Sequence, residues 1–270
     1  MKKLGLIAGN GRFPLIFAEE AKRAGYHVAA VAHRGETDAA IEQAADELSW
    51  VYVGQLGKII RSFQRAGVTE AVMAGGIRKI KLFGNFRPDL RGARFLAKLK
   101  SREDDALLRG IAEELAADGI QILSSTLCLP QIISPEGVLT KRAPRPEEWD
   151  DITLGFRTAK EIGRLGIGQT VAVKNQVILA VEAVEGTDAA ILRAGALGKS
   201  GCVVVKVSKP QQDLRFDVPA VGVDTIERLR EVDAAALAVE AGKTILLEKE
   251  TLLSRADAHG IAVVGVGTQE

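Results

Sequence analysis

Strand-like and helix-like runs alternate along this chain, and the pattern predicts an α/β protein. We expect a Rossmann-like N-terminal domain with a parallel sheet, and a C-terminal mixed α/β domain. Three observations carry the expectation. Short apolar runs such as LGLIAG and TEAVMAGG end in glycines, helix-period runs separate them, and the punctuation changes near residue 130.

Residues 4–9 read as a buried strand that runs into a glycine-rich turn. A helix is predicted from about Pro14 to Arg23, stopped by Gly25, and YHVAAVA is the next strand. SWVYVG is a third strand candidate. GKIIRSFQRAG places Ile59, Ile60, Phe63 and Ala66 on one helical face, and TEAVMAGG is a strand again. SREDDALLRGIAEELAADG reads as a helix, with Ser101 as cap and Asp104 and Asp105 in its first turn, before the extended IQILSS. Pro130, Pro135, Pro144 and Pro146 then cluster, which sets the domains at 1–142 and 143–270. Beyond the boundary we expect a helix near 150–165 and a hairpin turned at Lys174–Asn175–Gln176. A helix near 187–197, strands CVVVKVS and LRFDVPA, and a closing helix–strand–helix–strand follow.

Composition narrows the function. The 270 residues are 47% hydrophobic and 26% charged, which is globular. The N-terminal MKKLGLIAGNG reads as a first strand rather than a signal peptide. Cys128 and Cys202 form no CxxC pair and the three histidines no ligand spacing, so zinc ribbons and a disulfide framework are excluded and a cytoplasmic setting is expected. A net charge of +1 gives no reason to bind nucleic acid. Residues 78–102 nevertheless hold nine Lys/Arg against one acid, Asp89, interleaved with large apolar residues. That mixture suits an anionic membrane surface or an acyl-bearing substrate, or else the charged outer face of an amphipathic helix.

Three stretches carry candidate chemistry. AGNGRFP hands a strand over to a helix, so Gly9, Asn10, Gly11 and Arg12 can meet a phosphate or sugar. Its G-x-G-x-x-P pattern lacks the third glycine of the dinucleotide fingerprint, and Glu36 lies 27 positions after Gly9, too far for the usual ribose acid. NAD is therefore disfavoured. MAGGIRK ends another strand with Gly75 and Gly76 and adds Lys79, and two such turns on one sheet edge suggest a shared crevice. In the second half, Thr187, Asp188 and Arg193 open a helix, Lys206, Lys209 and Arg215 offer cations for phosphate, and Asp213, Asp217 and Asp224 offer carboxylates. That density fits a magnesium-assisted phosphoryl centre, although Asp224–Thr225 also reads as a helix cap.

AGNGRFP, MAGGIRK, VILAVEAVEGTDAAI and VVVKVSKPQQDLRFDVPAVGVDTIE together resemble the UDP-2,3-diacylglucosamine pyrophosphatases of lipid A biosynthesis, in their two-domain magnesium-dependent form. The resemblance spans essentially the whole chain. It implies hydrolysis of a lipid-linked nucleotide sugar to UMP and 2,3-diacylglucosamine 1-phosphate (lipid X), with water attacking the α-phosphorus. The essential aspartate of the family's VGxDTIE motif falls on Asp224. Around it we assign Lys206 and Arg215 as catalytic cations and Asp224, Asp213 and Asp188 as ligands of Mg2+. Gly9, Asn10, Gly11, Arg12, Gly75, Gly76, Lys79, Thr187, Asp188, Arg193, Lys209 and Gln211 are the substrate-binding set. The expected setting is the cytoplasmic face of the inner membrane, with peripheral attachment to anionic lipid; a homodimer stays open. A NAD-dependent oxidoreductase and a non-catalytic lipid or nucleotide sensor are the alternatives.

Overall fold

The computed structural model describes residues 2–77, 86–99 and 104–267. Two compact units emerge. One comprises Met1–Pro130 with Asp213–Asp217, the other Gln131–Gln212 with Val218–Glu270.

The first unit runs β1 (Lys2–Ala8), α1 (Phe13–Arg23), β2 (Tyr26–His33), α2 (Ile41–Ala44), β3 (Glu47–Val51), α3 (Leu56–Ala66), β4 (Glu70–Ala74), α4 (Leu90–Lys98), α5 (Asp104–Ala116) and β5 (Gln121–Leu123). Its sheet is parallel throughout, in the order β3-β2-β1-β4-β5. Strands covered on both faces need continuous apolar sequence: Leu4, Leu6 and Ala8 are fully buried on one face of β1, while Gly5 meets Phe63 and Ile7 packs on the core of the other. Helix α3 buries Leu56, Ile59, Ile60, Phe63 and Ala66 and stops at Gly67, whose φ of 70° is left-handed. The strand order reverses between β1 and β4, and in open parallel sheets the ligand crevice lies beyond the carboxyl ends at that reversal.

The second unit contains β6 (Gly137–Val138), α6 (Pro146–Arg164), β7 (Thr170–Lys174), β8 (Val177–Val181), α7 (Thr187–Gly198), β9 (Val203–Lys206), β10 (Ala220–Val221), α8 (Val223–Glu231), β11 (Ala236–Glu240), β12 (Ile245–Leu246), α9 (Lys249–Ala258) and β13 (Ala262–Val266). Its main sheet has the order β6-β13-β11-β9-β7-β8, with β9, β11 and β13 parallel and β6 and β7 antiparallel to their neighbours. The period of two is visible in β9. Val203 and Val205 pack towards Ile152 and Phe156 of α6, while Val204 joins Ile191, Ile226 and Leu229 on the other face. The expected hairpin is present: Asn175 and Gln176 both take positive φ. The buried Asp151 carboxylate accepts both their N–H groups, at 2.9 and 2.6 Å.

Two expectations differ from the structure. The units part at Pro130/Gln131 rather than at 142/143, because β6 already pairs with β13. LRFDVPA is not a strand beyond its last residue, Ala220. The Asp213 carboxylate accepts the Arg215 N–H at 3.1 Å, and its carbonyl accepts from Phe216 N at 3.0 Å. These local bonds make a turn where the apolar alternation suggested extended chain. Phe216 instead enters the core of the first unit, beside residues such as Phe63 and Leu115.

Candidate functional site

In the first unit the two glycine turns lie at the ends of β1 and β4, where the strand order reverses. Gly9 donates to the Ala74 carbonyl at 2.8 Å and Asn10 to the Gly76 carbonyl at 2.7 Å. This approach explains two glycines outright: a Cβ on Gly9 would collide with the Gly76 carbonyl, and one on Gly75 with the Asn10 carbonyl. Gly11 has a different reason. Its φ is +80° and the space around its missing Cβ is open, so the turn stays accessible to a ligand. Arg12 is the exposed residue preceding α1. Pro14 stands where the dinucleotide fingerprint has glycine, its ring against Gly75. Lys79 lies outside the described residues.

Glu36 lies too far along the sequence for a ribose acid, yet the fold brings its buried carboxylate to Asn10, whose side-chain amide donates at 3.3 Å. Next to it the Ala8 carbonyl accepts from Thr37 Oγ1 at 2.6 Å and from His33 Nδ1 at 3.0 Å. A carbonyl only accepts, so Nδ1 carries the proton. Burial pushes the His33 imidazole below its ordinary value, against the opposing pull of Ala8 and Glu36.

In the second unit the site is built around Lys206 at the end of β9. Its ammonium donates to Thr187 Oγ1 at 3.1 Å and to the Ala220 carbonyl at 2.9 Å, and the residue is only 8% exposed. An ammonium has three donors, so one N–H remains for a ligand oxygen. The Thr187 hydroxyl donates to Glu182 at 3.0 Å while accepting from Lys206. It therefore orients the lysine, and its hydroxyl proton is committed to Glu182.

The bond to Ala220 anchors β10, which leads through Gly222 to Asp224 in the first turn of α8. Asp224 does not cap that helix. Gly222 is the N-cap residue, and its N–H meets the Thr225 hydroxyl at 3.4 Å. The Asp224 carboxylate is exposed, and no hydrogen bond or ion pair engages it among the described residues. Its charge is stabilised by the positive end of α8.

Other nominated residues are committed to neighbours. Arg193 holds Glu185 at 2.6 Å and the Val181 carbonyl at 2.8 Å. Gln211 donates its amide to the Gly163 carbonyl at 2.9 Å. Arg215 grips Asp213 through two bonds of 2.9 and 2.7 Å and stacks on Phe216, and these bonds hold the Asp213 carboxyl below its ordinary value. Lys209 differs: no hydrogen bond or ion pair holds its ammonium among the described residues.

The expected ligands of Mg2+ divide between the units, with Asp213 in the first and Asp188 and Asp224 in the second. Among the described residues no three His, Cys, Asp or Glu side chains are placed to hold a metal. Asp213 belongs to the first unit and is neutralised by Arg215, and Asp188 lies 3.9 Å from Arg228. Of the three, Asp224 is exposed and without a partner among the described residues, so it is the carboxylate that would hold a magnesium ion.

A parallel sheet with a glycine-lined reversal point, followed by a mixed α/β unit with its own core, defines a two-domain α/β protein. Family models described as the LpxI N-terminal domain and the LpxI C-terminal domain match residues 3–132 and 135–264. UDP-2,3-diacylglucosamine pyrophosphatase LpxI of Caulobacter vibrioides is 35% identical over 283 aligned residues, covering 100% of this chain and 99% of that protein. The chain belongs to the LpxI family. Among solved structures, CobK precorrin-6A reductase aligns over 100% of this chain and 89% of its own, at 13% identity and a TM-score of 0.36. Phosphoribosylglycinamide synthetase from Anaerococcus prevotii aligns over 66% and 38%, at 11% identity and a TM-score of 0.27. Likenesses at this level carry no argument here.

Proposed function

We propose that this chain hydrolyses UDP-2,3-diacylglucosamine to UMP and 2,3-diacylglucosamine 1-phosphate. Family membership over the full length supports the substrate. The observation that carries the chemistry is the Asp224 carboxylate, exposed and unengaged in the helix turn that Lys206 anchors through Ala220. Water attacks the α-phosphorus, the bond from that phosphorus to the bridging oxygen breaks, and the sugar 1-phosphate leaves. Asp224 orients the water or takes its proton. The third Lys206 N–H and the Lys209 ammonium face the charge that develops on the phosphoryl oxygens, and donors fixed in advance favour that transition state. Magnesium, held by Asp224 and the diphosphate, would supply further charge neutralisation. In the first unit, the open Gly11 turn and the start of α1 offer backbone N–H groups to a phosphate or sugar.

The substrate is a lipid, so the enzyme works at a membrane surface. Among the described residues no helix is long and apolar enough to cross one. Attachment is peripheral in this reading, through exposed Phe86 and Leu90 and the outward Arg94 and Lys98. The test is incubation of the purified protein with UDP-2,3-diacylglucosamine, with magnesium and then with a chelator added. UMP and the diacylated sugar 1-phosphate should form only with the metal. Intact substrate in both arms would overturn the reading, and equal turnover in both would remove magnesium from it.

A further inference from the structure

We propose that the part-buried pair Lys160–Glu240 is a positioning device for the reaction proposed above: it fixes the backbone of the Ser208–Gln212 loop so that Lys206 and Lys209 are presented to the diphosphate. Glu240 ends β11 and is 0% exposed. Its Oε2 accepts from Lys160 at 2.6 Å and from the Ser208 N–H at 2.8 Å, while Oε1 accepts from Lys160 and Lys243, each at 2.8 Å. The Lys160 ammonium also donates to the Ser208 carbonyl at 2.8 Å. One ion pair thus holds both the N–H and the carbonyl of a single residue, two positions after Lys206 and one before Lys209.

The rest of the loop is held from the same helix. Gln211 bonds the Gly163 carbonyl at 2.9 Å, and a Cβ on Gly163 would stand 3.3 Å from Lys209 Cα. Gln212 closes the loop internally by accepting from Lys209 N at 3.0 Å and Ser208 Oγ at 3.2 Å. Helix α6 therefore positions the loop backbone and leaves the Lys209 ammonium unheld.

Stability is a poor reason for this pair. Two charges lose hydration on burial, and well-packed apolar replacements of buried ion pairs are often neutral or stabilising. Burial pushes the Glu240 carboxyl up, yet its bonds from Lys160, Lys243 and Ser208 prevail and leave it below its ordinary value.

The inference rests on the hydrolase reading, and the test separates the two. Full-length wild type, Glu240→Gln and the double variant Lys160→Met/Glu240→Leu are compared in melting temperature, steady-state kinetics on UDP-2,3-diacylglucosamine with magnesium, and amide hydrogen exchange of residues 207–212. The double variant should melt close to wild type while kcat falls about tenfold to a hundredfold with a smaller change in KM, the scale of a small misplacement of reacting groups. Exchange should quicken in 207–212 and not in β9 or β11. Glu240→Gln keeps an acceptor for Ser208 and should fall between the two. A double variant with wild-type kcat, or with a loss no larger than its unfolded fraction, overturns the proposal. If the double variant fails to fold, Glu240→Gln decides by the same criteria. An inactive wild type defeats the hydrolase reading and the inference with it, whereas an active wild type with equally active variants defeats the inference alone.

Discussion

Asp224 has the two properties that a ligand-handling carboxylate needs: it is accessible, and nothing in the described structure neutralises it. Replacing it with alanine should lower turnover at least about a hundredfold, the scale for losing an acid–base or metal-orienting group. Because Gly222 and Thr225 form the helix start, the stability cost should be confined to its favourable contact with the helix dipole, about 0.3–1 kcal/mol. Turnover and melting temperature measured on the same preparation check this, and a near-normal rate would end the catalytic assignment. Motif and charge single out Asp224, Lys206 and Lys209 in the sequence. Their competitors looked equally qualified. Arg193, Gln211 and Arg215 differ only in having found partners, and the Gln211 partner, Gly163, lies 48 residues away. Glu36 shows the converse: its spacing does not fit a dinucleotide site, and only folding brings it to Asn10 across 26 residues.

Among the elements, α4 shows how a basic, apolar stretch divides once it folds. Asp89 caps it by accepting from Gly92 N at 2.9 Å. Phe95 is buried in the first unit's core, and Leu96 and Leu99 pack against it, which leaves less of the stretch's apolar surface for a bilayer. Arg91 turns inward as well, to Glu114 at 2.9 Å and Asp118 at 2.5 Å. Arg94 and Lys98 are left facing out, with exposed Leu90 beside them. Changing Arg94 and Lys98 to glutamine should weaken sedimentation with anionic vesicles and lower activity on substrate in mixed bilayers, and salt should mimic the change. Activity on a short-chain soluble analogue should hold. Unchanged vesicle binding would mark this face as ordinary solvated surface. Most strands and helices were readable because their periods differ and glycines separate them. LRFDVPA misled because its apolar alternation imitates a strand, while the bonds that make it a turn start from Asp213.

At the scale of the whole molecule, each unit has its own core, and the chain returns from the second unit to the first for Asp213–Asp217 before going back. That return is invisible to any local reading, because Phe216 finds its core neighbours some hundred or more residues earlier in the chain. It also explains why a single expected boundary could not describe the organisation, although two α/β units with a parallel first sheet were foreseen. Hydrolysis in heavy-oxygen water distinguishes attack by water at the α-phosphorus of the nucleotide diphosphate sugar from attack at the β-phosphorus. Attack at the α-phosphorus puts one labelled oxygen in UMP and none in 2,3-diacylglucosamine 1-phosphate; label found mainly in the sugar phosphate would rule it out.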